Sequence, residues 1–221
     1  MNHNNFILSP ISKYLQEAIS ATAGIGDGIE TYPLGDYIMQ SIFLKMTGSQ
    51  EQKMKCIYWE LATNDYAYRL TFLKDKGKGF SVYKQKSTLY KDLIEQIIKF
   101  NSDFNPTNHL NKSDILLQTT SSIQTIFKDT NLKVWSSKQY KEYETIWSSF
   151  SEVAFANDPK NLFTAMPNQP ISLIDIYNDH LYRHRNRIAH NTQSYQQNLP
   201  TLKVLAEKNT NTVITSSTIQ Y

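Results

Sequence analysis

Cysteine is almost missing from this chain: Cys56 stands alone among 221 residues. No internal disulfide and no cysteine-based zinc cluster can form, and such usage fits a reducing compartment, so a cytoplasmic location is expected. Glycine and proline are also scarce, seven of each, which argues against a turn-rich all-β protein. No run of about 18 apolar residues is present, so no transmembrane helix is expected and no membrane partner with it. The N-terminal stretch MNHNNFILSPISKYLQ lacks a basic region followed by an apolar one, so no secretory signal is expected either. Basic blocks are absent too; the nearest approach is Arg183, Arg185 and Arg187, alternating with other residues.

Apolar material is ample. Hydrophobic residues make up 40% of the chain, with 14 Tyr and 10 Phe, enough for a real core. The formal charge of +3 and pI near 8.7 permit a nucleic-acid partner without demanding one.

The apolar spacing is helical through most of the chain. Residues 9–22 predict a helix with Ser9 as cap, Pro10 in the first turn and a stripe of Ile11, Leu15, Ala18 and Ile19. Gly24-Ile25-Gly26-Asp27-Gly28 reads as an interhelix loop rather than a phosphate cradle, because no strand precedes it and no Lys-Ser/Thr follows. A second helix is expected over 33–46, with Leu34, Ile38, Ile42 and Met46 in step. Thr47-Gly48-Ser49 should interrupt it before a third over 50–73, which carries Met54, Ile57, Leu61, Tyr68 and Phe72. Glu51 then falls in a first turn, where a carboxylate complements the helix dipole.

Phe80 to Tyr83 alternates as a short strand does, or is a loop anchored by aromatics. Further helices are expected over 88–101 (Leu89, Leu93, Ile97 and Phe100 inward), 113–128 (capped by Ser113), 137–156, and from Ser172 to about His190. A short helical stretch, Leu202 to Lys208, follows, and the Asn/Thr/Ser-rich end reads as a tail. The expectation is an all-α protein: an up-and-down helical bundle of six to eight helices with little or no strand, one domain over 1–208 and a polar tail over 209–221.

Chemistry concentrates in one place. His180 to Asn191 holds three arginines, three histidines and two asparagines within twelve residues. Cleaving RNA without a metal requires a group that moves protons near neutrality, which histidine supplies with an ordinary pKa of about 6.5. It also requires a fixed cation for the phosphate, which the planar arginine fork supplies bidentately. On a regular helix Leu173, Ile174, Tyr177, Leu181 and Ile188 share one face, while Asn186 and His190 stack on another, away from the core. Arg185 lies about 140° from His190 on such a helix. A bend, or a second copy of the chain, would be needed to bring the two together.

Blander accounts compete. Cations are favoured at helix C-termini with no further role. Asp179, His180 and His184 lack an obvious additional ligand for zinc, so no metal and no other cofactor is expected. Cys56 between apolar neighbours reads as an inert core thiol. Trp59, Trp135 and Trp147 could stack bases, but their helical spacing favours packing.

Arg185-Asn186, three residues and then His190, late in a helix, resembles the motif of the HEPN superfamily, in which four to six residues separate Arg from His; here four do. Arg183 and His190, with six residues between them, also fit. Arg185 is preferred because the family motif often has a polar residue, commonly Asn, directly after its Arg. The Thr47–Lys53 turn before a helix resembles some bacterial members. The resemblance implies a helical bundle acting as a dimer with both motif copies at the interface, and in many members a metal-independent endoribonuclease of phage defence or toxin–antitoxin systems. Carried over, it makes Arg185, Asn186 and His190 the catalytic group and Arg183, Arg187 and Asn191 substrate-binding, with Glu51 as an accessory. RNA, a second copy and an antitoxin or regulatory protein are the implied partners. Some members are non-catalytic, so a helical module that only binds RNA or a protein partner is the alternative.

Overall fold

The computed structural model describes residues 3–26, 28–74, 79–135, 137–148 and 172–190, with Phe150, Glu152, Phe155 and Phe163; the side chains at 72, 73, 135, 139, 143, 146, 147, 180 and 190 are not among what it describes. The protein is all-α. Among the described residues, extended pairing is confined to an isolated bridge between Phe155 and Phe163. Two compact units divide the chain, Met1–Arg185 and Asn186–Tyr221. The described part of the second is Asn186–His190 at the end of a helix.

In the first unit the helices run α1 (His3–Leu8), α2 (Lys13–Thr22), α3 (Tyr32–Asn64), α4 (Tyr66–Lys74), α5 (Tyr83–Phe100), α6 (Pro106–His109), α7 (Lys112–Phe127), α8 (Asn131–Trp135), α9 (Ser137–Ser148) and α10 (Leu173–Asp175). A π-helical stretch, Ile176–Tyr182, then leads into α11 (Arg183–His190).

Helix α3 organises this unit. Its 33 residues extend about 50 Å at 1.5 Å per residue, and the two halves serve two separate cores. Ile38, Met39, Ile42 and Met46 pack against Leu15, Ala18, Phe127, Leu132 and Tyr140 from α2, α7, α8 and α9. Farther along, Met54, Ile57 and Leu61 surround Tyr58, Phe80 and Leu89, with Tyr68 of α4. Two edge-to-face ring pairs, Tyr58–Tyr68 and Tyr58–Phe80, both with centroids 5.4 Å apart, hold that second core.

The expected interruption at Thr47-Gly48-Ser49 does not occur; the helix continues through it. A helical glycine costs about 0.5–1 kcal/mol relative to alanine, whereas burying one Leu-sized side chain returns about 1.5–3 kcal/mol, and α3 carries apolar side chains on both sides of the glycine. Thr47 folds its hydroxyl back onto the carbonyls of Phe43 and Leu44, and buried Ser49 accepts a hydrogen bond from the Tyr14 hydroxyl. The break falls instead at Asp65, which is extended and accepts from the Tyr68 amide at the start of α4.

Other expectations shift in similar ways. Ser9 is no cap; it follows α1 and donates to the Phe6 carbonyl, while α2 begins at Lys13, beyond Pro10. Buried Lys53 explains this turn, since its ammonium donates to the carbonyls of Ile7 and Ser9 at the end of α1. Asn111, not Ser113, caps α7 by accepting from the Asp114 amide. Phe80 to Val82 is a loop into α5, which begins at Tyr83, with Phe80 buried at a positive φ of 54°. Leu34, Trp59 and Phe100 are exposed rather than packed inward. The non-helical backbone at Gly24–Gly26 and Gly28, the buried Cys56 thiol and the Ser172 cap, which accepts from the Asp175 amide, agree with expectation, while Asp27 lies outside the described residues. The stretch 202–208 and the tail 209–221 lie outside the described residues.

Candidate functional site

Apart from Glu51 on α3 and Asn191, which lies outside the described residues, the predicted site residues fall on the last described helical run. Ile176–Tyr182 is π-helical, so its backbone bonds reach one residue farther than α-helical ones, a variant found mostly as single turns and often at functional positions. It also alters the angular step per residue, so a regular-helix projection from Leu173 to His190 loses its phase. Leu181, expected inward with Ile188, is 39% exposed.

The arginines differ sharply in their surroundings. The Arg183 side chain is 67% exposed and pairs along the helix with Asp179 at 3.2 Å, the ordinary situation of a surface cation. Arg185, with its side chain 25% exposed, reaches across to α3, where its Nη2 lies 3.0 Å from Oε2 of Glu51, itself 14% exposed. Because α3 runs unbroken from Tyr32, Glu51 is mid-helix rather than in a first turn, and the helix dipole does not account for it. Arg185 does, as a charged partner on a separate element.

Two residues that sequence reasoning did not assign to the site join this pair. Lys86, on the first turn of α5, is buried, and its Nζ donates to Oε1 of Gln50 at 3.0 Å. It also lies 5.4 Å from the ring centre of Tyr177, within reach of a cation–π attraction. Burial pulls the Lys86 ammonium down to about 8; the Glu51 carboxylate opposes that shift and the Arg185 guanidinium reinforces it. Tyr177, on the π stretch, donates its hydroxyl to the Ser81 carbonyl at 2.5 Å. Burial, then the charge of Glu51, push that hydroxyl up to about 12, with Arg185 pulling the other way and Tyr182 adding slightly. Its ring neighbours that of Tyr83, centroids 6.2 Å apart. Glu51, Lys86, Tyr177 and Arg185 thus form one electrostatically coupled cluster, built from α3, α5, the π stretch and the start of α11.

His184 packs edge-on against Phe43 with centroids 5.1 Å apart. In the second unit, Asn186 and Arg187 occupy half-buried positions on α11 and His190 is its last residue. The side chains of His180 and His190, and all of Asn191, lie outside the described residues. Thr47–Lys53, read as a turn resembling bacterial members, is helical. Among the described residues no helix is long and apolar enough to cross a membrane.

Comparison with family models, with curated proteins and with solved structures gives no match to this chain.

Proposed function

We propose that this protein is a cytoplasmic endoribonuclease of the HEPN type, working without a metal ion as a homodimer, in phage defence or opposite an antitoxin. The observation that carries the reading is the Arg185–Glu51 pair. A guanidinium held by a carboxylate on a separate long helix is oriented, whereas a cation serving only as a helix-end charge has no need of orientation. Arg183, exposed and paired within its own helix, fits a role on the flanking RNA backbone, and this favours Arg185 as the catalytic arginine of the two.

In the proposed reaction a substrate 2′-oxygen attacks the adjacent phosphorus while the bond to the 5′-oxygen breaks. The products are a 2′,3′-cyclic phosphate and a 5′-hydroxyl. His190 takes the proton from the 2′-hydroxyl, or passes one to the leaving oxygen, with the second copy's histidine available for the other transfer. Arg185 neutralises the charge gathering on the phosphoryl oxygens, where a planar fork matches the geometry. Asn186 orients either group, and Arg183, Arg187 and Asn191 grip neighbouring phosphates, contacts that position without reading sequence.

The test is incubation of the purified protein with total RNA in EDTA. Fragments ending in cyclic phosphate are expected. His190→Ala should lower the rate by about 10²- to 10⁴-fold, Arg185→Ala by a comparable factor, and Arg183→Ala far less. Loss of cleavage in EDTA with recovery in magnesium would sink the mechanism. Binding without fragments would leave the non-catalytic module.

A further inference from the structure

The Glu51–Arg185 pair has a third charged neighbour whose place in the reaction the family motif does not define. Lys86 keeps an ammonium in a buried position, an arrangement that costs free energy unless something holds it. What holds it comes from both sides: the Gln50 carboxamide from α3 and the Tyr177 ring from the π stretch. The charged groups around it are Glu51 on α3 and Arg185 on α11; the Tyr177 ring lies against it, with Tyr83 packed on that ring and Tyr182 acting on Tyr177. Two cations therefore face one carboxylate. We infer that Lys86 is a positioning residue for Arg185: held between Gln50 and Tyr177, its ammonium divides the pull of Glu51 and so sets how firmly Glu51 retains the guanidinium against an incoming phosphate.

This rests on the reading of Arg185 as a phosphate ligand and adds a control to it. While Lys86 is charged, the cluster carries a net positive charge, and a phosphate oxygen can complete it. When Lys86 loses its proton, Glu51 has Arg185 alone as counter-charge and holds it closer to neutrality. Burial brings that loss to about pH 8. Phosphate affinity should then fall as pH rises through this value, and the fall should act through Arg185.

The experiment has two arms on the full chain. In the first, a cleavage-resistant 2′-O-methyl RNA oligonucleotide is titrated by fluorescence anisotropy from pH 7 to 9. Wild type should lose about tenfold in affinity, the order expected when one nearby charge interaction is altered. Lys86→Met should bind weakly across the range and Lys86→Arg tightly across it. In Arg185→Ala and Glu51→Gln the pH-dependent fall should vanish. A fall that persists in Arg185→Ala means that Lys86 merely attracts RNA through its own charge, and overturns the inference. The second arm follows Lys86 itself by NMR of isotope-labelled lysine, without RNA. Glu51→Gln should lower its pKa further and Arg185→Ala should raise it; a titration indifferent to both substitutions overturns the coupling. Absence of any oligonucleotide binding, with the NMR coupling intact, would reject the ribonuclease reading while leaving the coupled cluster in place.

Discussion

Lys86 keeps a proton in surroundings that disfavour it, and that has a consequence for folding as well as for the site. In an unfolded chain its ammonium would hold the proton to about 10.5, against about 8 in the folded protein. Between those values the unfolded state binds more protons, so stability rises with pH. The shift corresponds to something on the order of 3 kcal/mol at most. Tyr177 works oppositely at higher pH, since folding raises its hydroxyl from 10 to about 12 and stability drains away above 10. The clean window is therefore pH 8 to 10, in which the melting temperature of wild type should climb relative to Lys86→Met. A gap between the two proteins that stays constant from pH 7 to 10 would show that the buried ammonium carries no such penalty. Neither Lys86 nor its pairing was legible in the sequence. A helix expected to start at 88 left Lys86 in a loop, although it precedes Leu89 by three residues and shares its buried face. The sequence marks Arg185 as a candidate catalytic residue and Glu51 as a possible accessory, but their pairing depends on a tertiary approach that linear spacing does not encode.

At the scale of elements, α3 makes the sharpest test. Gly48 sits near the middle of the helix, and a Cβ added there would meet nothing within 4 Å. Gly48→Ala should stabilise the protein by about 0.5–1 kcal/mol through reduced freedom of the unfolded chain, read as a higher urea midpoint with unchanged slope. A destabilised variant would mean that the segment departs from the helix in solution. Local signals misled at this point because Thr-Gly-Ser is a common interruption, while the packing that overrides it is tertiary, made by α3 residues from Ile38 to Leu61 against other helices. Caps showed the converse. Ser172 was identified correctly because its partner, Asp175, is local; Ser9 was not, because its position answers to Lys53, 44 residues distant. All-α character itself was plain from apolar spacing. The π stretch was not, since nothing in IYNDHLY distinguishes it from an ordinary helix.

For the whole molecule, the proposed reaction needs two copies. Two motif copies facing each other across an isologous interface should give twice the chain mass of 25.6 kDa by light scattering at micromolar concentration. Mixing Arg185→Ala with His190→Ala protein should show whether a site draws on both copies. A monomer that still cleaves would rule out the shared site.

The π stretch carries one further implication. Because Ile176–Tyr182 acts as a phase shifter, what matters there is the number of residues more than their identity. Exchanging side chains that touch none of the cluster leaves the angular setting of Arg185 intact. Removing a single residue would turn everything after it by roughly a quarter of a turn and swing the guanidinium off Glu51 with every charged group still in the sequence. The site is thus protected against much substitution and exposed to the smallest change of length, a kind of vulnerability belonging to the spacing of the chain rather than to its chemistry.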